Sequence, residues 1–180
     1  DQVVAGTEGI EEQTGLPDGI PLVVGGSDQA ASALGNGLLD EGAMFVAVGT
    51  GGQIVTPLAE PLPSPGLSLN TFCHLPETRW YLMGATLSAG LSLKWYRDLF
   101  AQGVSFAELD AEAGAAPPGC AGLTFDPFIA GRRSPEMNPS ASGAFRGIPL
   151  NHGRVHFIRA VLEGVAYDLR DCLEVIRGME

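Results

Sequence analysis

The segment from Arg154 to Arg177 carries the strongest periodic signal in the sequence. Apolar residues recur in it at intervals of three and four, which predicts a long helix with one apolar face. The residues on that face are Ile158, Val161, Leu162, Val165, Leu169, Cys172, Leu173 and Ile176. We expect this helix to contribute core packing along its whole length, so the rest of the chain has to supply the layer that it covers.

A Gly-rich stretch interrupts two apolar runs in the first third of the chain. "AMFVAVGT" predicts a strand, and Ile54-Val55 begins its return partner after Gly49, Thr50, Gly51 and Gly52. These four residues are called the glycine hairpin below. Strands and helices alternate irregularly along the chain, and an early hairpin favours a mixed sheet over an all-parallel one. The sequence therefore predicts an α/β fold in which helices pack on a mixed sheet.

The remaining elements follow from local signals. Residues 21–24 predict a buried strand, followed by a short helix that Ser27 caps, with Asp28 in its first turn. Residues 86–100 predict a helix whose stripe is Leu87, Leu91, Trp95 and Leu99. "NTFCHL" and "RWYLMG" predict two strands, "SFAELDAEAG" predicts an amphipathic helix, and residues 122–147 predict a strand and a long loop. In that loop we expect Arg132 and Arg133 to pair with Glu136 at the surface.

Composition restricts the classes of partner. The chain has 180 residues, enough for one domain with a core, and its 10 basic and 21 acidic residues give a net charge of −11. That charge argues against a nucleic-acid partner, and no apolar run approaches the roughly 18 residues of a membrane span. Three separated cysteines predict buried thiols in a reducing compartment, hence a cytoplasmic protein. Cys73 and His74 are adjacent and do not suggest a zinc site, so no metal ligand is predicted.

The glycine hairpin has two interpretations. It is either a plain tight turn or a loop whose backbone N–H groups face an anion, because glycines tolerate positive φ and have no Cβ. Two nucleotide motifs are excluded. The dinucleotide fingerprint needs a glycine where Ile54 stands, and a P-loop needs a lysine after its last glycine.

Asp28 also has two interpretations. An acid in the first turn of a helix is favoured by the helix dipole alone. A carboxylate at the end of a strand, beside Gly25 and Gly26, is also where an α/β fold places a catalytic group. A loop that holds phosphates, together with a carboxylate base, suits phosphoryl transfer to a hydroxyl group.

At this point the sequence resembles the FGGY carbohydrate kinases over essentially the whole chain. The signature at the start of the last helix comprises Gly143, Phe145, Gly147, Ile148, His156-Phe157 and Ala160-Val161-Leu162-Glu163. The resemblance implies two lobes of the ribonuclease H-like (actin/hexokinase-type) ATPase fold, and it implies ATP and Mg²⁺ as cofactors. It also implies that Asp28 is the catalytic base, in "GLPDGIPLVVGGSDQAASALGNG", and that "VGTGG" places Gly49, Thr50, Gly51 and Gly52 at the ATP phosphates. "LSAGLSLKW" is similar to a nucleotide-contacting helix start, which corresponds to Gly90 and Lys94; Lys94 is equally well explained as a solvated lysine.

Within the family, "NTFCHL…WYLMGATLSAGLSLKWYRD" and "RAVLEGVAYDLRDCLE" look most like xylulokinases. Such enzymes transfer the γ-phosphoryl group of ATP to O5 of D-xylulose. The alternatives are another FGGY kinase for glycerol, gluconate or ribulose, and a non-catalytic binding or scaffold domain that retains the fold. The family loop usually reads Gly-Glu-Arg-Thr-Pro, but here it is Gly131-Arg132-Arg133-Ser134-Pro135, which reverses a charge at Arg132.

The resemblance further implies that the chain is part of a C-terminal lobe. Residues 1–26 would lie near the hinge between the lobes and residues 27–180 would form the lobe core, without the N-terminal lobe and the adenosine motif. We expect such a piece alone to be inactive, because half of the cleft is absent. We also expect the missing lobe to leave an apolar face that favours a homodimer.

Overall fold

The computed structural model describes residues 3–179. The strands are β1 (Val3–Gly6), β2 (Pro21–Val23), β3 (Phe45–Val48), β4 (Gly52–Leu58), β5 (Asn70–Cys73), β6 (Trp80–Thr86), β7 (Thr124–Asp126) and β8 (Ala144–Arg146). The helices are α1 (Glu11–Thr14), α2 (Asp28–Gly35), α3 (Gly90–Phe100), α4 (Phe106–Gly114) and α5 (Arg154–Arg177).

A four-stranded antiparallel sheet in the order β3-β4-β6-β5 forms the centre of the molecule. Val48 pairs with Gly52 and closes the predicted hairpin, and Gly52 pairs in turn with Thr86. Two shorter antiparallel pairs, β1-β2 and β7-β8, lie outside this sheet. No helix described within residues 3–179 is both long enough and apolar enough to cross a bilayer.

Helices cover both faces of the sheet. Ile54 and Leu82 pack with Cys172 of α5 on one face. Val55 and Met83 pack with Ala30 and Ala33 of α2 on the other face, as the alternation of side chains along a strand requires. The glycine hairpin therefore lies at the end of a sheet that is enclosed between α2 and α5.

A second core joins α3, α4 and β7 to the first half of α5. Its buried residues include Tyr96, Leu109, Phe125, Ile158 and Val161. The predicted helix at Arg154–Arg177 is confirmed. The predicted amphipathic helix is also confirmed as α4, which begins with a capping box between Ser105 and Glu108.

The predicted helix at residues 86–100 is wrong in its first turn and in its stripe. Thr86 is the last residue of β6, and α3 begins at Gly90. Leu99 is 58% exposed, whereas Tyr96 is buried at 4% exposure. The packing of α3 against the second core determines which face of the helix is buried. The spacing of apolar residues at every fourth position did not predict that face.

Two further predictions are wrong. The strand at Pro21–Val23 is exposed, because among the described residues β2 pairs only with β1 and no helix covers it. Cys73 is exposed rather than buried, although all three cysteines are free thiols as expected. The long loop predicted after β7 also contains β8, whose Phe145 pairs with Phe125.

Candidate functional site

The glycine hairpin is bonded to the start of α3. The N–H of Gly90 donates to the carbonyl oxygen of Gly49 at 2.8 Å. The N–H groups of Ala89 and Leu91 donate to the carbonyl oxygen of Thr50 at 3.0 and 3.1 Å. Ala89 has no side chain that could cap the helix, so the carbonyl groups of the hairpin satisfy the free N–H groups of the first turn.

These bonds fix the direction of the N–H groups of the hairpin. In a trans peptide the N–H points opposite to the carbonyl group. Because the carbonyls of Gly49 and Thr50 face α3, the N–H groups of Thr50 and Gly51 face away from it. Among the described hydrogen bonds, neither of these N–H groups nor the Thr50 hydroxyl has a protein partner. Two adjacent backbone donors without partners, beside a hydroxyl group, are suited to bind an anion.

Three glycines lie where a neighbouring atom leaves no room for a Cβ. A Cβ on Gly51 would lie 2.5 Å from the Thr86 carbonyl oxygen, and one on Gly90 would lie 2.6 Å from the Gly49 oxygen. A Cβ on Gly52 would lie 2.8 Å from Thr86 Oγ1, which accepts the Gly52 N–H at 3.2 Å. None of these glycines has a positive φ, so the chain uses them for the contact between strand and helix rather than for a left-handed turn.

Asp28 lies at the start of α2 and is exposed. Ser27 caps the helix as predicted, because its Oγ accepts the N–H of Ala30 at 3.2 Å. The Asp28 carboxylate accepts only the neighbouring N–H of Gln29, at 2.8 Å, among the described hydrogen bonds. The carboxylate is therefore available to accept a proton or a hydrogen bond from a ligand.

A cavity of about 510 Å³ lies beside the start of α2. Gly25, Gly26 and Ser27 line one side of it, and Phe72 and His74 line another. Its lining includes neither Asp28 nor any residue of the glycine hairpin. The structure thus brings the hairpin and Gly90 together, and it does not bring Asp28 into a common cavity with them.

Lys94 lies one turn beyond Gly90 on the same helix. Its ammonium group is exposed and forms an ion pair with Asp98 at the (i, i+4) spacing. Hydrogen bonds from Lys94 and then from Arg97 lower the pKa of Asp98 below its ordinary value. The Lys94 charge is therefore already matched by a carboxylate within α3.

The loop after β7 supplies an ion cluster that was only partly predicted. Arg132 contacts Glu136 at 3.1 Å, as predicted, but it also contacts Asp171 at 2.6 Å and Asp168 at 3.8 Å on α5. The predicted pairing of Arg133 is absent among the described ion pairs. The two α5 contacts explain why Arg132 is largely buried rather than at the surface.

Asp168 is the titratable group that the sequence analysis missed. Its side chain is 7% exposed, and its Oδ1 has no hydrogen-bond partner within the described residues. Burial raises the pKa of Asp168 to about 6, although the attraction of Arg132 acts in the opposite direction. A signal was available, since Asp168 lies three residues after Val165 and therefore on the apolar face of the helix.

The potential metal ligands of the described residues do not form a cluster. Residues 3–179 hold no group of three or more His, Cys, Asp or Glu side chains that could bind a metal ion. Magnesium is usually bound through one or two carboxylates together with substrate phosphates. The described residues therefore hold no ligand cluster that would bind the ion without a nucleotide.

Comparisons with known proteins give a consistent assignment. The "FGGY family of carbohydrate kinases, C-terminal domain" matches residues 44–180. A xylulose kinase of Lactococcus lactis is 39% identical over 167 residues, which are 93% of this chain and 33% of that protein. A gluconokinase of Bacillus subtilis is 35% identical over 170 residues, covering 87% of this chain and 32% of that protein.

A solved structure agrees with the sequence comparisons. The crystal structure of xylulose kinase from Rhodospirillum rubrum superimposes with a TM-score of 0.81 at 33% identity, covering 93% of this chain and 34% of that one. The chain thus spans about a third of the length of these relatives. The predicted α/β fold is confirmed, and it is the fold of a sugar kinase lobe of the actin/hexokinase type. The expectation of a mixed sheet is wrong for the described residues, because all pairs of named strands there are antiparallel. The chain belongs to the FGGY family of carbohydrate kinases.

Proposed function

We propose that this chain is the C-terminal-lobe portion of an ATP-dependent sugar kinase that converts D-xylulose to D-xylulose 5-phosphate. In this proposal residues 1–26 lie near the hinge between the lobes and residues 27–180 form the lobe core. The observation that carries it is the pair of N–H groups at Thr50 and Gly51, which face away from α3 without a protein partner. The similarity to xylulose kinases supports the choice of sugar.

The glycine hairpin would bind the phosphates of ATP. Its two free N–H groups and the Thr50 hydroxyl are donors, and phosphate oxygens are acceptors. The hairpin is bonded to α3 and packed against β6, so these donors are oriented before the nucleotide arrives. Donors with a fixed orientation lower the energy of a transition state that carries charge on phosphate oxygens.

Asp28 would act as the base. The O5 hydroxyl oxygen of the sugar attacks the γ-phosphorus, and a new O–P bond forms as the bond from that phosphorus to the β,γ-bridging oxygen breaks. The bridging oxygen leaves with the electron pair as part of ADP. The hydroxyl proton goes to the Asp28 carboxylate, which is exposed and accepts only one other hydrogen bond among those described.

Two observations indicate that this chain alone does not bring Asp28 and the glycine hairpin into one active site. Asp28 and the hairpin do not line a common cavity here, and the chain spans about a third of its relatives. We therefore propose that the sugar site and the closed cleft require the remaining lobe. This chain alone would bind nucleotide weakly and transfer no phosphoryl group.

Phosphorylation assays on the full-length protein test the proposal. The expected result is ATP-dependent phosphorylation of D-xylulose with the highest kcat/KM in a panel that also contains gluconate, glycerol and ribulose. A higher kcat/KM for gluconate would favour the second candidate, to which the gluconokinase similarity points. Calorimetric titration with ATP separates both from a scaffold, because a domain without a nucleotide site would release no binding heat and the kinase proposal would then fail.

A further inference from the structure

Two adjacent arginines in the loop after β7 have opposite electrostatic environments. Arg132 contacts three carboxylates, the closest at 2.6 Å on Asp171. Arg133 is half-buried, and no carboxylate within residues 3–179 forms an ion pair with it. The positive charge of Arg133 is therefore not offset by a carboxylate among the described residues and is open to an anionic ligand.

The distribution of the other cations makes this contrast sharper. The chain has 10 lysines and arginines against 21 acidic residues. Within the described part of the chain, all of the cations except Arg79 and Arg133 form ion pairs with carboxylates. Arg79 is exposed, whereas Arg133 is partly buried. Arg133 is therefore the one partly buried cation, among the described residues, whose charge no carboxylate offsets.

The loop that carries Arg133 is attached next to the glycine hairpin. The N–H of Ser134 donates to the Ala85 carbonyl oxygen at 3.0 Å. Ala85 precedes Thr86, whose Oγ1 accepts the Gly52 N–H at 3.2 Å. Arg133 thus lies one residue from a backbone bond to the strand end that supports the hairpin.

The side chain of the neighbouring Arg132 is committed to α5. Arg132 forms an antiparallel bridge with Asn138, and its side chain is directed to Asp171 on α5. Arg132 is therefore already matched by carboxylates, which leaves Arg133 as the arginine of this loop whose charge is open to a ligand among the described residues.

We propose that Arg133 binds the terminal phosphate of the nucleotide at the glycine hairpin. The inference rests on the proposed kinase function, because it requires a nucleotide there. The hairpin supplies uncharged donors only, and the nearby Lys94 is already paired with Asp98. A guanidinium with its planar set of donors matches a phosphate group and adds the positive charge that the hairpin lacks.

Substitution in the full-length enzyme tests the assignment. Arg133→Met is expected to weaken ATP binding, measured by calorimetry, by about tenfold to a hundredfold, which is the usual range for a charge-assisted hydrogen bond. Arg133→Lys keeps the charge and is expected to recover part of the loss. Arg79→Met is the matched control, since it removes another unpaired arginine at the opposite end of β6 and is expected to leave ATP binding unchanged.

A comparison of ligands separates phosphate binding from a general structural role. Arg133→Met is expected to weaken ATP binding much more than AMP binding, because only ATP carries the terminal phosphate. Equal losses for ATP and AMP, or unchanged ATP binding by both Arg133 variants while the wild type binds and turns over ATP, would overturn the role of Arg133 and leave the kinase function intact. A wild-type protein that binds no ATP would instead overturn both proposals.

Discussion

The glycine hairpin and the start of α2 differ in how firmly this chain holds them. The hairpin is bonded to α3 through the carbonyls of Gly49 and Thr50, and a Cβ on Gly51 would overlap the backbone of β6. Asp28 follows an exposed two-stranded sheet and accepts one local hydrogen bond among those described. This chain therefore fixes the orientation of the proposed phosphate donors, whereas it holds the proposed base by one local hydrogen bond among those described.

The largest expected effect concerns Asp28, the exposed residue at the start of α2. Asp28→Asn in the full-length enzyme keeps the size of the side chain but removes its ability to accept the hydroxyl proton. We expect kcat to fall by about 10²–10⁴-fold, the usual contribution of a general base. ADP binding, measured by calorimetry, should stay nearly unchanged because the hairpin is separate from α2. Turnover retained near the wild-type rate would remove Asp28 from the mechanism.

The next effect concerns the contact between the glycine hairpin and α3. Gly90→Ala places a Cβ 2.6 Å from the Gly49 carbonyl oxygen, so the hairpin and α3 have to separate. Overpacking of this kind typically costs about 1–3 kcal/mol, which urea denaturation of this chain would measure as a lower free energy of unfolding.

Gly49→Ala is the matched control for the same contact. A Cβ on Gly49 would meet no atom closer than 3.9 Å, so this variant should unfold within about 0.5 kcal/mol of the wild type. Equal losses for the Gly90 and Gly49 variants would mean that the close approach of the hairpin to α3 is not what requires glycine at position 90.

Sequence reasoning reached the elements that local patterns determine. The stripe of α5, the Ser27 cap and the β3–β4 hairpin depend on residues close in sequence, and all three were predicted. The buried face of α3 and the exposure of β2 depend on which distant elements pack against them, and these predictions were wrong. Distant contacts also explain what the sequence did not reveal about the site. The bond between Ser134 and Ala85, which attaches the loop next to the glycine hairpin, joins residues far apart in sequence.

A smaller effect concerns the part of α5 that packs against the glycine hairpin. Leu169 of α5 lies against Gly52, and Asp168 next to it is buried with a pKa of about 6. Because this pKa lies above the ordinary value of 3.8, the folded protein binds an extra proton between pH 4 and 6. The contribution of Asp168 to stability is therefore greatest below about pH 4, falls as the pH rises toward 6, and is constant above that.

Asp168→Asn imitates the protonated carboxyl group at every pH. At pH 7 we expect the variant to be more stable than the wild type by about 1–2 kcal/mol, because Arg132 keeps Asp171 and Glu136 as partners. The difference between variant and wild type should shrink as the pH is lowered from 6 to 4. A variant that is less stable than the wild type at pH 7 would show that the pairing with Arg132 outweighs the cost of burial.

The smallest effect isolates one hydroxyl group of the hairpin. Thr50→Val removes the exposed hydroxyl and keeps the shape of the side chain and the backbone bonds to Ala89 and Leu91. A single hydrogen bond contributes about 0.5–1.5 kcal/mol, so we expect the KM for ATP to rise by about two- to tenfold with the KM for the sugar unchanged. Thr50→Ser restores the hydroxyl and should restore the KM. If the Val variant changed neither nucleotide binding nor transfer, the backbone N–H groups would be the donors that matter, and the firm attachment of the hairpin to α3 would carry the proposed phosphate site without its side chain.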